Sequence, residues 1–444
     1  MRKLGHAVAL LAQYCRIRLG RRWTKREAFE RWQEWQVLRR LRKVEAQSAY
    51  YRELWEGRPL TEWRHFPIID KTAMMDNFDA LNTAGIHKET AMELALKAEK
   101  SRHFDSRISN VSIGLSSGTS GSRGLFLVSD RERAAWAGAV LAKLLPGPLW
   151  RAEKIAFFLR SNSELYQTVR RKRLQFEYFD LLQDIELHIE RLNKYRPGIL
   201  AAPPSVLRLL ADARTEGRLT ARPHRIISIA ETLDPLDARV IQEAFLIPIH
   251  QAYQCTEGFL ASTCRFGTLH LNEDIVHIGK EYVDEDSSGR RFVPIVTDFS
   301  RSTQPIIRYR LNDLLSEAEE ACPCGSVFTA IERIEGRCDD IFYMEKLADG
   351  ALMPVFPDFI ARAIIAAAPD IEEYRAIQHG ANRLEIELQV AAEGDWERAK
   401  SQVAARIAEL AGNIGCRIPS MMFSAYTFKP GIHKLRRIER RWSI

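Results

Sequence analysis

The chain has 444 residues, 46% of them hydrophobic, and a formal net charge of +7; that length accommodates two or three domains with cores of their own. No stretch approaches the roughly 18–20 consecutive apolar residues that span a bilayer. Seven cysteines, an odd number scattered over so long a chain, exclude a disulfide framework and favour a reducing, cytoplasmic setting.

The charge is uneven. Residues 1–60 hold 15 Lys/Arg against 6 Asp/Glu, a net +9 that leaves −2 for the remainder. The first dozen residues have the outline of a signal peptide, but their apolar core is short, contains His6 and runs into the basic cluster Arg16 to Arg22, so secretion is not expected. Trp23, Trp32, Trp35 and Trp55 interleave with the basic residues. Such a mixture suits a nucleic-acid, anionic-membrane or acidic-carrier surface. It equally suits an amphipathic helical region with solvated arginines and inward tryptophans. The second reading is preferred, because no nucleic-acid fold signature accompanies the charge.

In chain order, Phe29, Trp32, Val37, Leu41 and Val44 are spaced for a helix from Lys25 to about Ser48, and a second covers Tyr50 to Trp55. Phe66 to Lys71 reads as extended, with Asp70 a cap for the helix that follows. Val111 to Leu115 alternates like a strand, Leu125 to Val128 resumes it, and a helix runs from Asp130 to Leu145. Between the strands lies Ser116-Ser117-Gly118-Thr119-Ser120-Gly121-Ser122-Arg123-Gly124. Glycines allow positive φ and close approach of an anion to the main chain, and N–H groups and hydroxyls supply donors. The loop reads as a phosphate cradle or as a flexible hairpin, and it lacks the Walker spacing.

Beyond it, Lys154 to Leu159 is a buried strand. After a basic linker, helix Leu181 to Leu192, strand Pro197 to Ala201, helix Val206 to Arg214, strand Arg225 to Ala230 and helix Pro235 to Phe245 predict an α/β architecture with parallel sheet. Val276 to Val283 and Phe292 to Phe299 then alternate as strands, and Gly336 closes that run. From about Asp340, helix Pro357 to Ala367, strand Arg383 to Val390, helix Glu397 to Ala411 and strand Ser424 to Phe428 form a compact α+β unit of about a hundred residues.

Further stretches carry chemistry. Tyr253-Gln254-Cys255-Thr256-Glu257-Gly258 sets an aromatic ring, a hydroxyl and a carboxylate before a glycine. Asp298 and Asp313 bracket Pro305 to Arg310, where Arg308 and Arg310 alternate. Gly336-Arg337-Cys338-Asp339-Asp340 sits at the junction of the two units, and Lys434 lies in a basic segment near the end.

Together and in this order, from about Tyr50 to Lys434, these motifs resemble the adenylate-forming superfamily, in particular its phenylacetate–CoA ligase-like branch, which includes deazaflavin-cofactor adenylating synthetases. The resemblance implies an α/β fold. A basic helical region 1–60 precedes a large domain 61–338 with mixed and parallel sheets flanked by helices, and a small mobile α+β domain 339–444 swivels at Asp339. It implies ATP and Mg²⁺ as cofactors. Ser116, Ser117, Gly118, Thr119, Ser120 and Gly121 would clasp the β- and γ-phosphates, with Arg123 and Arg308 in the same binding set. Glu231 would lie on the adenine side, Tyr253 would stack on adenine, and Thr256 would donate to the α-phosphate. Glu257 would hold Mg²⁺, Asp313 the ribose hydroxyls, and Arg337 ribose and phosphate. Lys434 would bridge carboxylate and α-phosphate, where negative charge accumulates.

The implied reaction is ATP-dependent conversion of a small-molecule carboxylic acid to an acyl-adenylate. The acyl group then passes to coenzyme A or an acidic carrier-protein thiol, or else AMP passes to a hydroxyl. A degenerate nucleotide-binding protein is the non-catalytic alternative, against which the joint presence of the motif residues counts. Three features depart from the family pattern, one of them Cys338 beside the hinge. Ser122-Arg123-Gly124 replaces the usual Lys-Pro or Pro-Lys, with Arg123 a substitute charge of different geometry. The segment 157–180, including Arg160 to Ser163, does not match the aromatic-acid pocket of phenylacetate ligases. Separately, Cys264, His270, Cys322 and Cys324 offer a structural zinc set, the alternative being two buried cysteines and an unrelated surface pair.

Overall fold

The computed structural model describes residues 2–20, 23–101, 106–116, 123–159, 173–284, 290–391, 394–428 and 434–443. Helices α1 (Arg2–Arg18), α2 (Arg26–Gln47), α3 (Ala49–Leu54), α4 (Lys71–Asp76), α5 (Phe78–Leu81) and α6 (Lys88–Ser101) open the chain. Ser48 ends α2 and caps α3, while the Asp70 carboxylate caps α4 by accepting from Ala73 N–H at 2.8 Å. A small antiparallel sheet follows, β1 (Arg107–Ile108), β2 (Val111–Leu115) and β3 (Leu125–Ser129). Helix α7 (Asp130–Leu144) starts at a reciprocal capping box of Ser129 and Glu132.

The centre of the molecule is a twelve-stranded sheet. Its parallel half comprises β4 (Glu153–Leu159), β5 (Leu174–Asp180), β6 (Ile199–Ala202), β7 (Arg225–Ile229) and β8 (Ile249–Cys255), in the order β8-β7-β6-β4-β5. Helices α8 (Ile185–Tyr195), α9 (Pro204–Thr215) and α10 (Pro235–Phe245) connect these strands. From β8 onward the sheet turns antiparallel through β9 (Gly258–Thr263), β10 (Leu269–Leu271), β11 (Val276–Asp284), β12 (Arg291–Asp298), β13 (Tyr309–Arg310), β14 (Asp313–Glu317) and β15 (Ala330–Arg337). Alternate residues of the parallel strands feed two cores. Ile155, Ala201 and Ile227 face α7, whereas Phe158, Leu200 and Ile226 face the opposite layer with α8, α9 and α10. The N-terminal helices belong to the first of these cores, with Val37, Leu41 and Trp55 fully buried in it. Of the interleaved tryptophans only Trp35 stands largely exposed.

The C-terminal unit has its own apolar cluster. It contains the hairpin β16 (Phe342–Glu345) and β17 (Leu352–Val355), helices α11 (Pro357–Ile365) and α12 (Trp396–Asn413), and a sheet of β18 (Ile371–Gly380), β19 (Arg383–Val390), β20 (Ser420–Ala425) and β21 (Ile438–Arg440), ordered β20-β19-β18-β21. The mixed α/β fold expected from the element order is therefore present.

Differences from the sequence reading are local. The supposed linker before Leu181 contains strand β5, whose apolar Leu174, Phe176 and Tyr178 alternate beside β4, and the next helix starts only at Ile185. The last predicted strand sits four residues earlier, because Ser420 rather than Ser424 pairs with the start of β19 at Arg383. Among the described residues no helix is long and apolar enough to cross a membrane.

Candidate active site

The carboxyl ends of parallel strands are where open α/β sheets bind ligands, and the predicted residues gather there. A cavity of about 2010 Å³ runs from the mouth of the β2–β3 hairpin, past the ends of β7 and β8, to the C-terminal unit. Single ligand pockets typically hold about 300–1,000 Å³, so this one has room for a nucleotide and a second substrate. Ser116, Arg123, Glu231, Tyr253, Thr256, Glu257, Asp313, Arg337, Asp339 and Lys434 all line it. Ser117, Gly118, Thr119, Ser120 and Gly121 lie outside the described residues.

At the hairpin, Ser116 and Gly124 close the base of the loop. Ser116 N–H donates to the Gly124 carbonyl at 2.8 Å, and Gly124 N–H donates to Ser116 Oγ at 2.9 Å. A Cβ on Gly124 would meet Lys71 Cε at 3.0 Å, so the glycine is what lets that lysine pass. Arg123 lines the cavity with its guanidinium already forked on Glu99 of α6 at 2.5 and 2.6 Å.

Beyond β7, Ala230 adopts φ +68°, a left-handed turn uncommon for a residue with a side chain. It sends Glu231 into the cavity, where Oε1 accepts from Leu435 N–H and Oε2 from Ser205 N–H, both at 3.3 Å. At the end of β8, the Tyr253 hydroxyl donates to Asp313 Oδ2 at 2.5 Å and Thr256 Oγ1 donates to Glu257 Oε2 at 2.8 Å. Asp313 and Arg337 are register partners across β14 and β15. In the short turn Cys338–Asp340, Asp339 accepts from Asn312 Nδ2 at 2.5 Å.

Arg308 is not brought to the cavity. Its Nε donates to the Phe66 carbonyl at 2.8 Å, whereas the neighbouring Arg310 lines the cavity while paired with Glu281 at 2.9 Å.

Burial pushes the carboxyls of Glu231 and Asp313 upward, and cations pull both back, Lys434 on Glu231 and Arg337 with Lys434 on Asp313. Burial pulls the Lys71 ammonium down, with Glu257 pulling the other way and Arg337 adding to the fall. Lys71 is thus a cavity cation that sequence reasoning missed; its only signal was a lysine directly after a helix cap. The site holds acids that suit a hard cation and ribose hydroxyls, and bases that suit phosphate oxygens.

Some distance from it, the ligand atoms of Cys264, His270, Cys322 and Cys324 all lie within 4.8 Å of one another. Cys264 and Cys322 sulfurs are 3.7 Å apart, and Cys324 Sγ is 3.4 Å from His270 Nε2. Phe266 and Ser326 N–H groups each donate to a cluster sulfur at 3.4 Å, and His270 Nδ1 contacts the Phe328 carbonyl at 3.1 Å. Ligand separations near 3.5 Å and N–H donors to sulfur fit a tetrahedral zinc held by three thiolates and an imidazole.

No family model matches the chain. Protein CapK of Staphylococcus aureus is 27% identical over 221 residues, 48% of this chain and 46% of that protein. The phenylacetate–coenzyme A ligase of Thermus thermophilus is 23% identical over 46% of this chain and 47% of its own length. The matched stretch thus spans about half the length of these curated relatives. Among solved structures, a 2-hydroxyisobutyryl-CoA ligase in its postadenylation state, with 2-HIB-AMP, superposes with a TM-score of 0.69 at 16% identity, covering 92% of this chain and 89% of that one. The same ligase in its thioesterification state, with 2-HIB-AMP and CoA, gives 0.56 over the same shares at 18% identity. Fold and aligned relatives agree: the chain has the fold of this CoA ligase and is similar over about half its length to a phenylacetate–coenzyme A ligase and to CapK.

Proposed function

We propose that this protein uses ATP to activate a carboxylic acid as its acyl-adenylate, releasing pyrophosphate, and then hands the acyl group to a thiol of coenzyme A or of an acidic carrier protein. The observation that carries the reading is that Lys434, from the C-terminal unit, lines the same cavity as Thr256, Glu257, Asp313 and Arg337 from the large sheet. In adenylation a carboxylate oxygen attacks the α-phosphorus while pyrophosphate leaves, and a preorganised cation beside both anions lowers that barrier most. Lys434 takes this role. Thr256 donates to the α-phosphate, and Arg337 contacts ribose and phosphate. Asp313 accepts from the ribose hydroxyls, Tyr253 and Glu231 flank the adenine, and the loop from Ser116 holds the outer phosphates. Glu257 is the carboxylate for Mg²⁺, a cation that spreads the phosphate charge when bound.

The relatives' names support a ligase of this kind, the CoA ligase structure bearing both an acyl-AMP and CoA. The reading includes a unit boundary near Cys338, with residues 61–338 as the adenylation domain and 339–444 swivelling at Asp339 so that the thiol can enter after Lys434 leaves. It also includes a zinc ion on Cys264, His270, Cys322 and Cys324 as a structural staple.

The test is acid-dependent pyrophosphate release across aromatic, fatty and amino acids, with and without coenzyme A, and with hydroxylamine as trap. Acyl hydroxamate or acyl-CoA formation supports the reading. A stable adenylylated product would redirect it to AMP transfer, and no release with any acid would overturn it.

A further inference from the structure

Three consecutive residues after Lys434 are each anchored, and to three different places. Leu435 N–H bonds to Glu231, in the turn after β7. Arg436 pairs with Asp340, in the turn between the units. Arg437 reaches furthest. Its Nη2 stands 2.6 Å from Asp237 Oδ1 and its Nε 3.3 Å from Asp237 Oδ2, a forked contact with a residue of α10 in the large unit. The same guanidinium lies 2.8 Å from Glu373 and donates to the Tyr374 carbonyl at 3.0 Å, both in β18 of the C-terminal unit. Asp237 is 1% exposed and Arg437 8%.

The first turn of α10 is therefore a docking cradle for the C-terminal unit. Leu236 is buried inside that unit's own apolar cluster. On one side of it the Tyr374 hydroxyl donates to the capping residue Asp234 at 2.6 Å, and on the other Arg437 forks onto Asp237. The helix N-terminus already favours carboxylates there; Arg208 of α9, 3.7 Å from Asp237, supplies one counter-charge from within the large unit, and the Arg437 guanidinium supplies the closer one from across the interface. The chain as a whole superposes better on the postadenylation than on the thioesterification state of the 2-hydroxyisobutyryl-CoA ligase, 0.69 against 0.56 at equal coverage.

We propose that the Arg437–Asp237 pair is the docking bond that holds the C-terminal unit with Lys434 at the nucleotide cavity, and that it must open before the unit can turn away. Arg437 is in this view a positioning residue. Its guanidinium is engaged by Asp237, Glu373 and the Tyr374 carbonyl, and it fixes the segment that presents Lys434. If the units part, Asp237 stays on α10 beside Arg208, 3.7 Å away, and Arg437 leaves with Glu373, so the forked bond is lost and each remaining pair must be rehydrated. That makes the docked state specific rather than merely sticky. The assignment of a catalytic purpose rests on the adenylation reading; the docking itself does not.

Hydrogen exchange on the full chain with and without MgATP tests the docking, using Asp237→Asn, Arg437→Gln and the conservative Asp237→Glu. The expected result is that amides 434–438 and 236–238 exchange at least about tenfold faster in the first two variants. Amides 383–390 and 399–411, the core of the C-terminal unit, should keep their protection, and Asp237→Glu should restore most of the slow exchange. Asp237 lies in the large unit, so its variant probes docking even if Arg437→Gln fails to fold. Unchanged exchange at 434–438 in Asp237→Asn overturns the proposal, and so does uniform loss of protection across the C-terminal unit. With whichever acid releases pyrophosphate, kcat should fall at least about tenfold in Asp237→Asn while the KM for ATP moves less than about threefold. Inactivity of wild type toward every acid would sink the adenylation reading and leave the exchange result to decide the docking.

Discussion

The Tyr253 hydroxyl and the Asp313 carboxylate, 60 residues apart in the chain, share a hydrogen bond of 2.5 Å inside the cavity. The bond fixes the carboxylate that would receive the ribose, and it explains why a tyrosine suits the end of β8 better than a phenylalanine. Asp313→Ala should weaken MgATP binding by about 1–3 kcal/mol, since two ribose hydrogen bonds of roughly 1 kcal/mol each are lost and Tyr253 is left unpaired. Tyr253→Phe, which keeps the ring and removes only the hydroxyl, should cost about 1 kcal/mol or less in the same titration calorimetry. Equal losses in the two variants would contradict this division of labour.

Lys434 and Lys71 both line the cavity, one from the C-terminal unit and one beside the hairpin loop. They should separate kinetically. Lys434→Ala should reduce acid-dependent pyrophosphate release to background while the dissociation constant for MgATP changes less than about threefold, because its contacts belong to the transition state. Lys71→Ala should act on ATP binding itself, weakening it by about tenfold, the scale of one charge-assisted contact. Undiminished pyrophosphate release in Lys434→Ala would refute its assigned role.

The sequence made some of this legible and not the rest, for definite reasons. Helix spacing gave α2 and α10 nearly to the residue, because their apolar faces pack on large cores and their ends carry turn or capping residues. The motif residues on turns after strands were also readable, because each turn needs a particular side chain. Arg308 and Arg310 were not separable, since alternation along a strand says that two residues share a face but not which groups meet them. Arg308 sits at φ +47°, which turns it onto Phe66. Lys71 was invisible for a different reason. Ile69 forms an isolated parallel bridge with Tyr309, with Ile69 N–H on the Arg308 carbonyl, and that pairing across 240 residues of chain ties the segment carrying Lys71 to the sheet. Strand β5 was lost in the basic stretch before it, because alternation over seven residues with several polar members reads weakly.

Zinc should purify with the protein at about one ion per chain. The ligands join Cys264 in the turn after β9 and His270 in β10 to Cys322 and Cys324 in the loop between β14 and β15. Cys322→Ser and Cys264→Ser should each lose the metal and lower the melting temperature by several degrees, while MgATP affinity stays within about twofold, since the cluster lies outside the cavity. Well under half a zinc per chain, in protein made without chelators, would leave the four residues as a thiol cluster with no metal.

Asp340 gives a pH signature of its own. Burial pushes its carboxyl up to about 6, with Arg436 pulling the other way, and the residue is 4% exposed. A carboxyl whose folded value is raised favours the folded state at low pH, and that contribution is lost as pH rises through the folded value. Between pH 4.5 and 7 the wild type should therefore lose about 2 kcal/mol of stability that an Asp340→Asn variant does not lose, at 1.36 kcal/mol per unit of pKa. Denaturant titration of both proteins at several pH values measures the difference directly, with the other titrating groups cancelling between them. The gap between the two curves should narrow as pH rises if the asparagine begins less stable, and should widen if it begins more stable. Curves that run parallel from pH 4.5 to 7 would mean that the Arg436 pairing compensates the burial fully and that Asp340 is ionised throughout.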